Sequence, residues 1–526
     1  MTSPASLEAA ADSSARAAGW SRTLRDMAVL AAGACALMLP ALLHMPIASD
    51  SAIYNHVWTT QFAQALARGE LYPRWLPESF HGYGAPVFYL YPPLAFYLSA
   101  TLQLLGLGNV HAVAAAFAVT LFASGAAMRA WLRPYARRPL LWALVYMAAP
   151  YHLTDVYSRG ALAEAGAFVW LPLIAMGLMS GHWRWLAVSY AGLIATHLPS
   201  ALLASVALIP PLAAARLRSP GAARAIAAGV VGGLLLSGVY LLPALALQRE
   251  VAVDLLYLPY YQPQNWALWP PSGRVNPVLV SGLAMTYGAV LLTLAIWRRG
   301  SPWSALALAC ALAGLGLLPI WRLPLLSQVQ FPWRLFAIVD LAAVTALATG
   351  RPTSAPAIVR ALALAAALGL AAPGALQLYT QNLMPFRKPM PTASIAARDD
   401  APEYLPRGAD ASGVTAAQRR PPLERFGGEP VTTPLRVTRA ETVVLRRFYF
   451  PCWVVVRDGH PVRTFASGPG RLVSFVGEPG VYELQRRTLP VEWLGAASSL
   501  AGIILLCRRS ARRRSEASAG PARAGD

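Results

Sequence analysis

The sequence predicts a polytopic α-helical membrane protein with a small β-rich domain outside the membrane near its C-terminus. Three observations carry that prediction. Only 13% of the 526 residues are charged while 56% are hydrophobic, against about a quarter charged in a soluble domain. Apolar stretches close to the roughly 20 residues that cross hydrocarbon as a helix recur along the chain, separated by short arginine runs. Residues 381–490 break that pattern with charges, prolines and then alternating, strand-like segments.

The composition also excludes classes. A formal net charge of +20 would suggest nucleic acid in a soluble chain. Here the arginines sit between apolar segments, as membrane topology requires, and no nucleic-acid-binding motif is present. Mean hydropathy is +0.45. Cys35, Cys310 and Cys507 lie in apolar segments and Cys452 stands alone in a polar region, so neither a disulfide framework nor a zinc pattern is expected. The first apolar run is too long for a signal h-region and lacks a small-residue cleavage site, so it reads as a retained anchor. There is no phosphate-binding loop, dinucleotide fingerprint, HExxH or GxSxG, which removes nucleotide-driven pumps and soluble-type hydrolases.

Clear spans are residues 27–47, 110–130, 226–247, 277–297, 302–320, 334–350 and 357–379. Residues 494–507 form a shorter one that Val491 and Trp493 extend. The arginine runs at 16–25, 129–138, 216–224, 298–299, 351–360 and 508–514 belong in the cytoplasm by the positive-inside bias. If residues 88–105 crossed, the run at 129–138 would fall outside. They are therefore expected to lie along the outer surface, entered through Pro92-Pro93. By the same count residues 185–215 cross twice on short legs, turning at His197-Leu198-Pro199-Ser200. The bookkeeping gives about twelve crossings with both termini cytoplasmic. The expected organisation is a cytoplasmic tail (1–26), a transmembrane module (27–380) whose outer loop is 48–109, the β-rich domain (381–490), a last transmembrane helix (491–507) and a basic, disordered tail (508–526). In the β-rich domain, strands are read at 442–445, 453–456, 472–475 and 481–484, with turns at Arg457-Asp458-Gly459-His460 and Glu478-Pro479-Gly480.

With this topology the interesting polar groups all fall on the outer side. The first outer loop packs Asp50, His56, Arg68, Glu70, Arg74, Glu78 and His81 among ten aromatic side chains. Polar groups beside a membrane span mark a functional site by default. Asp50 stands at the start of a helix read over 51–68, which Gly69 stops; it is either a plain N-cap or an acid that does chemistry. Asp155 and Arg159 are spaced i, i+4. They can form a simple helix-surface pair, or supply an acid and a guanidinium fork for an oxyanion; Glu164 follows close behind. His197, at the helix break, is a second cation for a phosphate or a turn residue. Arg334 either snorkels to headgroups or joins that site. Tyr91 and Trp75 read as interface belt or sugar platform. His44, within the first span, reads as a packing residue.

The motifs resemble a known superfamily. An Asp after the first span, a helix ending in ARGELYPRW, then GYGAPVFYLYPPLAFYL, is similar to the first outer loop of GT-C glycosyltransferases. SFHGYGAPVFYLYPPL, YHLTDVYSRGALAEAGAFVWLPL, ATHLPSAL and VQFPWRL resemble a bacterial membrane family labelled 6-pyruvoyl-tetrahydropterin synthase-related. FYFPCWVVVRDGHPV resembles an element of YfhO-like membrane proteins. Nothing resembles the soluble pterin enzyme or its zinc histidines. The resemblance runs over about residues 27–506 and implies a multi-pass protein of the bacterial inner membrane, active on the periplasmic face. It implies a polyprenyl-phosphate-linked sugar as donor, an envelope hydroxyl as acceptor and membrane lipid as surroundings. It implies Asp50 as the catalytic acid, with Asp155 or Glu164 as the second; for a leaving phosphate the cations available are Arg159, His197 and Arg334, and His56 and Tyr91 are further candidate substrate-binding residues. In Ser49-Asp50-Ser51 the superfamily's paired acid is missing, so no metal ligands are assigned and a divalent metal stays an open alternative. The rival readings are a lipid-linked sugar transporter or flippase and a non-catalytic envelope-assembly protein.

Overall fold

A computed structural model describes residues 4–43, 50–258, 261–268, 277–298, 301–350, 356–383, 401–409, 426–432 and 434–518; at 4–19, 50, 257, 277, 381–383 and 508–518 it describes the backbone alone. In chain order the helices are α1 (Pro4–Leu43), α2 (Asp50–Ala67), α3 (Val87–Leu90), α4 (Leu94–Leu104), α5 (Asn109–Leu132), α6 (Pro139–Met147), α7 (Pro150–Tyr157), α8 (Leu162–Ser180) and α9 (Trp183–Thr196). They continue as α10 (Leu198–Leu203), α11 (Ile209–Arg216), α12 (Ala222–Leu236), α13 (Gly238–Leu247), α14 (Pro277–Trp297), α15 (Pro302–Gly314), α16 (Phe336–Thr349), α17 (Ala357–Leu383) and α18 (Pro490–Ser518).

Among the described residues eight helices are long and apolar enough to cross a membrane, or nine if the bent pair α12–α13 is one span. The chain is a multi-pass membrane protein. Three of the twelve expected crossings fall on shorter pieces: α6 with α7, α9 at 14 residues and α15 at 13. At 1.5 Å per residue these fall short of the ~30 Å hydrocarbon layer. The second leg after His197 is longer than expected. A π turn over Ala204–Leu208 joins α10 to α11, making one 19-residue span, Leu198–Arg216. Pro210 and Pro211 follow that turn; they cannot donate to the helix ladder, and the wider turn absorbs the missing bonds. Helix α4 has only 11 residues, too short to span. Two expectations for the tails change. Helix α1 already includes the N-terminal tail from Pro4, and α18 runs past Cys507 to Ser518, through part of the expected disordered tail; residues 519–526 of that tail lie outside the described residues. His44 lies outside the described residues.

The helices have a consistent polarity. At the C-terminal end of α8, a Cβ on Gly181 would lie 2.9 Å from Arg216 Nη2. At the C-terminal end of α16, Arg298 donates to the Leu347 carbonyl at 3.3 Å. Arg129, at the end of α5, pairs with Asp26. The arginine-rich ends of several spans therefore gather together, and the N-terminal ends of α8 and α16 lie at the opposite end of the same helices.

The bend between α12 and α13, 68° at Ser237, is built by the last helix. Ser499 Oγ accepts the Val239 N–H at 2.8 Å and donates to the Leu236 carbonyl at 2.8 Å. The backbone groups freed by the bend are thus satisfied inside protein, as hydrocarbon demands. Gly238 is required there, since a Cβ would meet Ser498 Oγ at 2.5 Å.

The β-rich part is two antiparallel sheets. With β1 (Leu435–Val437), β2 (Glu441–Phe448), β3 (Trp453–Arg457), β4 (His460–Val462), β5 (Thr464–Ser467), β6 (Leu472–Gly477) and β7 (Gly480–Arg486), the orders are β1-β7-β3-β4 and β2-β6-β5. The expected strands fall on β2, β3, β6 and β7, while the short β1, β4 and β5 were not foreseen. Asp458 and Gly459 both have positive φ and pair Arg457 with His460, a two-residue turn whose twist matches the strands. Val443, Leu445, Val455, Val473, Phe475 and Tyr482 form the core between the sheets.

Candidate functional site

Helix α7 begins with Pro150 at its first turn, where the missing N–H costs nothing. The chain leaves α7 through Ser158 and Arg159 and turns at Gly160, whose φ is +57°. It re-enters a helix at Leu162, which sets Glu164 in the first turn of α8, where the helix dipole favours a carboxylate. His197 is the extended residue at the break between α9 and α10. Arg334 lies in a 3₁₀ turn, Pro332–Leu335, that leads into α16.

These segments converge on Glu164. Its Oε2 accepts from Arg159 Nη1 at 2.6 Å and Arg334 Nε at 3.1 Å, with His197 Nε2 at 3.8 Å. Its Oε1 accepts the Tyr151 hydroxyl at 2.7 Å. Arg159 also donates to Asp155 Oδ1 at 2.5 Å and to the Tyr151 oxygen at 2.9 Å. Arg334 is steadied by the Val329 carbonyl at 2.7 Å. Both guanidinium groups lie over the Phe331 ring, at 5.6 Å for Arg159 and 4.9 Å for Arg334. The side chains of Asp155 and Glu164 are 0% and 1% exposed, those of Arg159 and Arg334 15% and 9%. The acids form the floor and the arginines are the more accessible layer.

Asp155 Oδ2 is buried without a hydrogen-bond partner. Arg159 is shared between Asp155 and Glu164, while Arg334 pairs with Glu164 alone. Burial holds the His197 imidazole down at about 3, against the upward pull of Glu164, so it is neutral at physiological pH, with Nδ1 2.8 Å from Ser200 Oγ. Tyr91 follows α3 and feels the charges of Arg334, Glu164 and Arg159; burial raises its phenol to about 12, with Arg334 pulling it back. Its ring lies 5.0 Å from Trp58, which is 5.9 Å from Tyr404.

Asp155, Arg159, Glu164, His197 and Arg334 thus come together, with Tyr91 beside them. His56 is engaged elsewhere: its Nδ1 is 2.8 Å from Asn109 Oδ1. The backbone of Asp50 opens α2, and its side chain lies outside the described residues. That helix reaches the cluster through Asn55, which donates to the Gly160 carbonyl at 2.6 Å. Among the described residues no three His, Cys, Asp or Glu side chains group as metal ligands.

The sequence reading missed Tyr151, Phe331 and Asp340. Asp340 is a buried acid inside α16 that accepts the Tyr287 hydroxyl at 2.7 Å, and the same hydroxyl accepts the Tyr151 N–H at 3.2 Å. Its signal was present, as a lone acid in the apolar run RLFAIVDLAAV. A second ionic group was also missed. Glu492, at the start of α18, takes Arg74 Nε at 2.9 Å, Arg486 Nη2 at 3.3 Å, the Tyr89 hydroxyl at 3.0 Å and the Leu489 N–H at 3.0 Å.

Neither a protein-family model nor a curated protein matches the chain. Among solved structures, the cryo-EM structure of arabinofuranosyltransferase AftD from Mycobacteria is similar at 21% identity, over 79% of this chain and 30% of that one, with a TM-score of 0.44. A mutant form of the same enzyme gives 20% identity over 66% and 28%, with a TM-score of 0.43. The chain spans less than a third of the length of that enzyme.

Proposed function

We propose that the chain is a GT-C-type glycosyltransferase of the bacterial inner membrane. It moves a sugar from a polyprenyl-phosphate carrier to a hydroxyl of an envelope acceptor on the periplasmic face. The observation that carries this reading is the convergence of Arg159 and Arg334 over one buried carboxylate, at the ends of α8 and α16 opposite the arginine-rich ends. The positive-inside bias supports an outward-facing site.

In this reading the acceptor oxygen attacks the anomeric carbon while the bond from that carbon to the carrier's phosphate oxygen breaks. The phosphate leaves with a growing negative charge. Arg159 and Arg334, held over Phe331, stabilise that charge where it develops, and a guanidinium fork suits a phosphate better than a point charge. Asp50 takes the proton of the acceptor hydroxyl. Asp155 and Glu164 act mainly as holders of the arginines, because burial keeps them from a substrate. Neutral His197 offers an N–H. Tyr91, Trp58 and Tyr404 supply an aromatic wall for the sugar.

The test is mass-spectrometric analysis of lipid-linked sugars and envelope glycans in a deletion strain complemented with wild type or Asp50→Asn. Asn keeps shape and capping ability, so a cap role predicts little change. A general-base role predicts about 10²–10⁴-fold slower transfer, with the donor accumulating at normal protein abundance. Wild-type glycans with the Asn variant sink the base; no change on deletion sinks the transferase.

A further inference from the structure

The seam between the first outer loop and the β-sandwich holds a group of donors with no acceptor. Trp75 Nε1, Arg447 Nε and Trp453 Nε1 are buried and make no hydrogen bond, and Arg74 Nη1 and Arg446 Nε are likewise unmatched. Buried donors are almost always paired, so a local run of orphans of one sign calls for an acceptor. Trp75 is 5% exposed. Its ring meets Trp453 edge-on at 5.1 Å, and Arg447 lies 6.0 Å from the Trp75 ring and 5.4 Å from the Trp453 ring. A Cβ on Gly84 would stand 2.4 Å from Trp75 Nε1 and 2.5 Å from Arg447 Nη1. Both N–H-bearing groups therefore converge over bare backbone that only glycine, with φ of +78°, can supply.

The charge is unbalanced as well. Arg447 has no carboxylate within salt-bridge reach among the described residues; its Nη1 touches only the Pro77 carbonyl, at 3.3 Å. Burial pulls its guanidinium down to about 10, the sign of a cation held without an anion. Glu492 is already occupied by Arg74 and Arg486. As whole residues Arg447 and Trp453 are half-buried, while their unmatched N–H groups are themselves buried. The neighbouring Arg74 donates to the Val239 carbonyl of the membrane module and pairs with Glu492 where the last span begins. The seam therefore adjoins the start of the last candidate span, and at a membrane–water interface arginine and tryptophan sit among headgroups.

We propose that Trp75, Arg447 and Trp453 form a phosphate-binding site separate from the Glu164 cluster, filled by the phosphate of a lipid headgroup or by free phosphate. It would fasten the β-sandwich to the membrane surface beside the first outer loop.

Calorimetric titration of inorganic phosphate into the full chain in detergent tests this, with Arg159→Lys as background to weaken phosphate contacts at the Glu164 cluster. Saturable binding should remain there. It should fall about tenfold or more in Arg447→Gln, as expected for losing a charge-assisted bond, and several-fold in Trp75→Phe, which keeps a ring but lacks the N–H. The exposed Arg436→Gln should bind like its parent. Native mass spectrometry from phosphatidylglycerol nanodiscs separates the sources. Lipid retention lost in Arg447→Gln identifies a headgroup; unchanged retention with lost phosphate binding identifies the free ion. No saturable binding, or equal binding in Arg447→Gln and Trp75→Phe with wild-type melting, overturns the site.

Discussion

Glu164 and Glu492 are both buried carboxylates gripped by two arginines and a tyrosine, yet their surroundings differ. At Glu492 both oxygens are saturated by protein donors, and the donors come from the first outer loop, β7 and the chain entering α18. At Glu164 a second acid shares Arg159, and one of its oxygens, Asp155 Oδ2, is unpartnered. A buried ion pair is weak evidence for either stability or function by itself. What separates the two is where the donors come from and which atom is left over: Glu492 ties the first outer loop to β7 and α18, as a staple does, with a donor, Arg74 Nη1, unmatched, whereas the Glu164 cluster gathers the ends of spans and leaves an acceptor, Asp155 Oδ2, unmatched.

The largest expected effect belongs to the staple. Glu492→Ala leaves Arg74 and Arg486 without their anion and should cost about 3–5 kcal/mol. A thermal melt and limited proteolysis of the β-sandwich junction measure it, and transfer per folded molecule should persist. A wild-type melt would break the comparison. Next, Arg334→Gln should lower transfer by about 10²–10³-fold with a smaller loss of melting temperature. Full activity in that variant would make the Glu164 cluster a second staple.

A finer contrast lies inside the cluster. Arg159→Lys keeps the charge but loses the fork that reaches Asp155, Tyr151 and Glu164 together, and donor binding should weaken by about 1.5–3 kcal/mol. Asp155→Asn retains an acceptor oxygen and should change binding little. Equal, mild effects in both would favour a plain i, i+4 pair, worth about 0.2–0.5 kcal/mol.

The smallest effect is a pH dependence. The imidazole of His197 is depressed from 6.5 to about 3 by burial, so the native state binds fewer protons than the unfolded chain. Its contribution to stability is complete above 6.5 and is lost as pH falls toward 3. His197→Gln should therefore flatten the fall in melting temperature between about pH 7 and pH 5. An unchanged slope would show that His197 is not buried neutral.

Legibility followed the kind of signal. Helix α2, its Gly69 stop and the Asp458-Gly459 turn were readable because capping and turn chemistry are local. The twelve-crossing count was less secure, since a proline-driven π turn and the bend at Ser237 depend on neighbours. Asp155, Arg159, Glu164, His197 and Arg334 could be picked individually as polar residues at span ends. His56 was picked on the same ground and pairs with Asn109 instead.

By itself the sequence determined that the chain lives in a membrane, where its arginine runs fall, and which polar residues stand at the ends of spans. Hydrophobicity and charge act residue by residue, so a linear reading captures them. Only the tertiary structure decided that Arg334 reaches Glu164 across a sequence separation of 170. It alone decided that Glu492 joins Arg74 and Arg486, and that Trp75 and Arg447 meet over Gly84. Those pairings are fixed by which backbones pack closely enough to exclude water, a property of the fold as a whole.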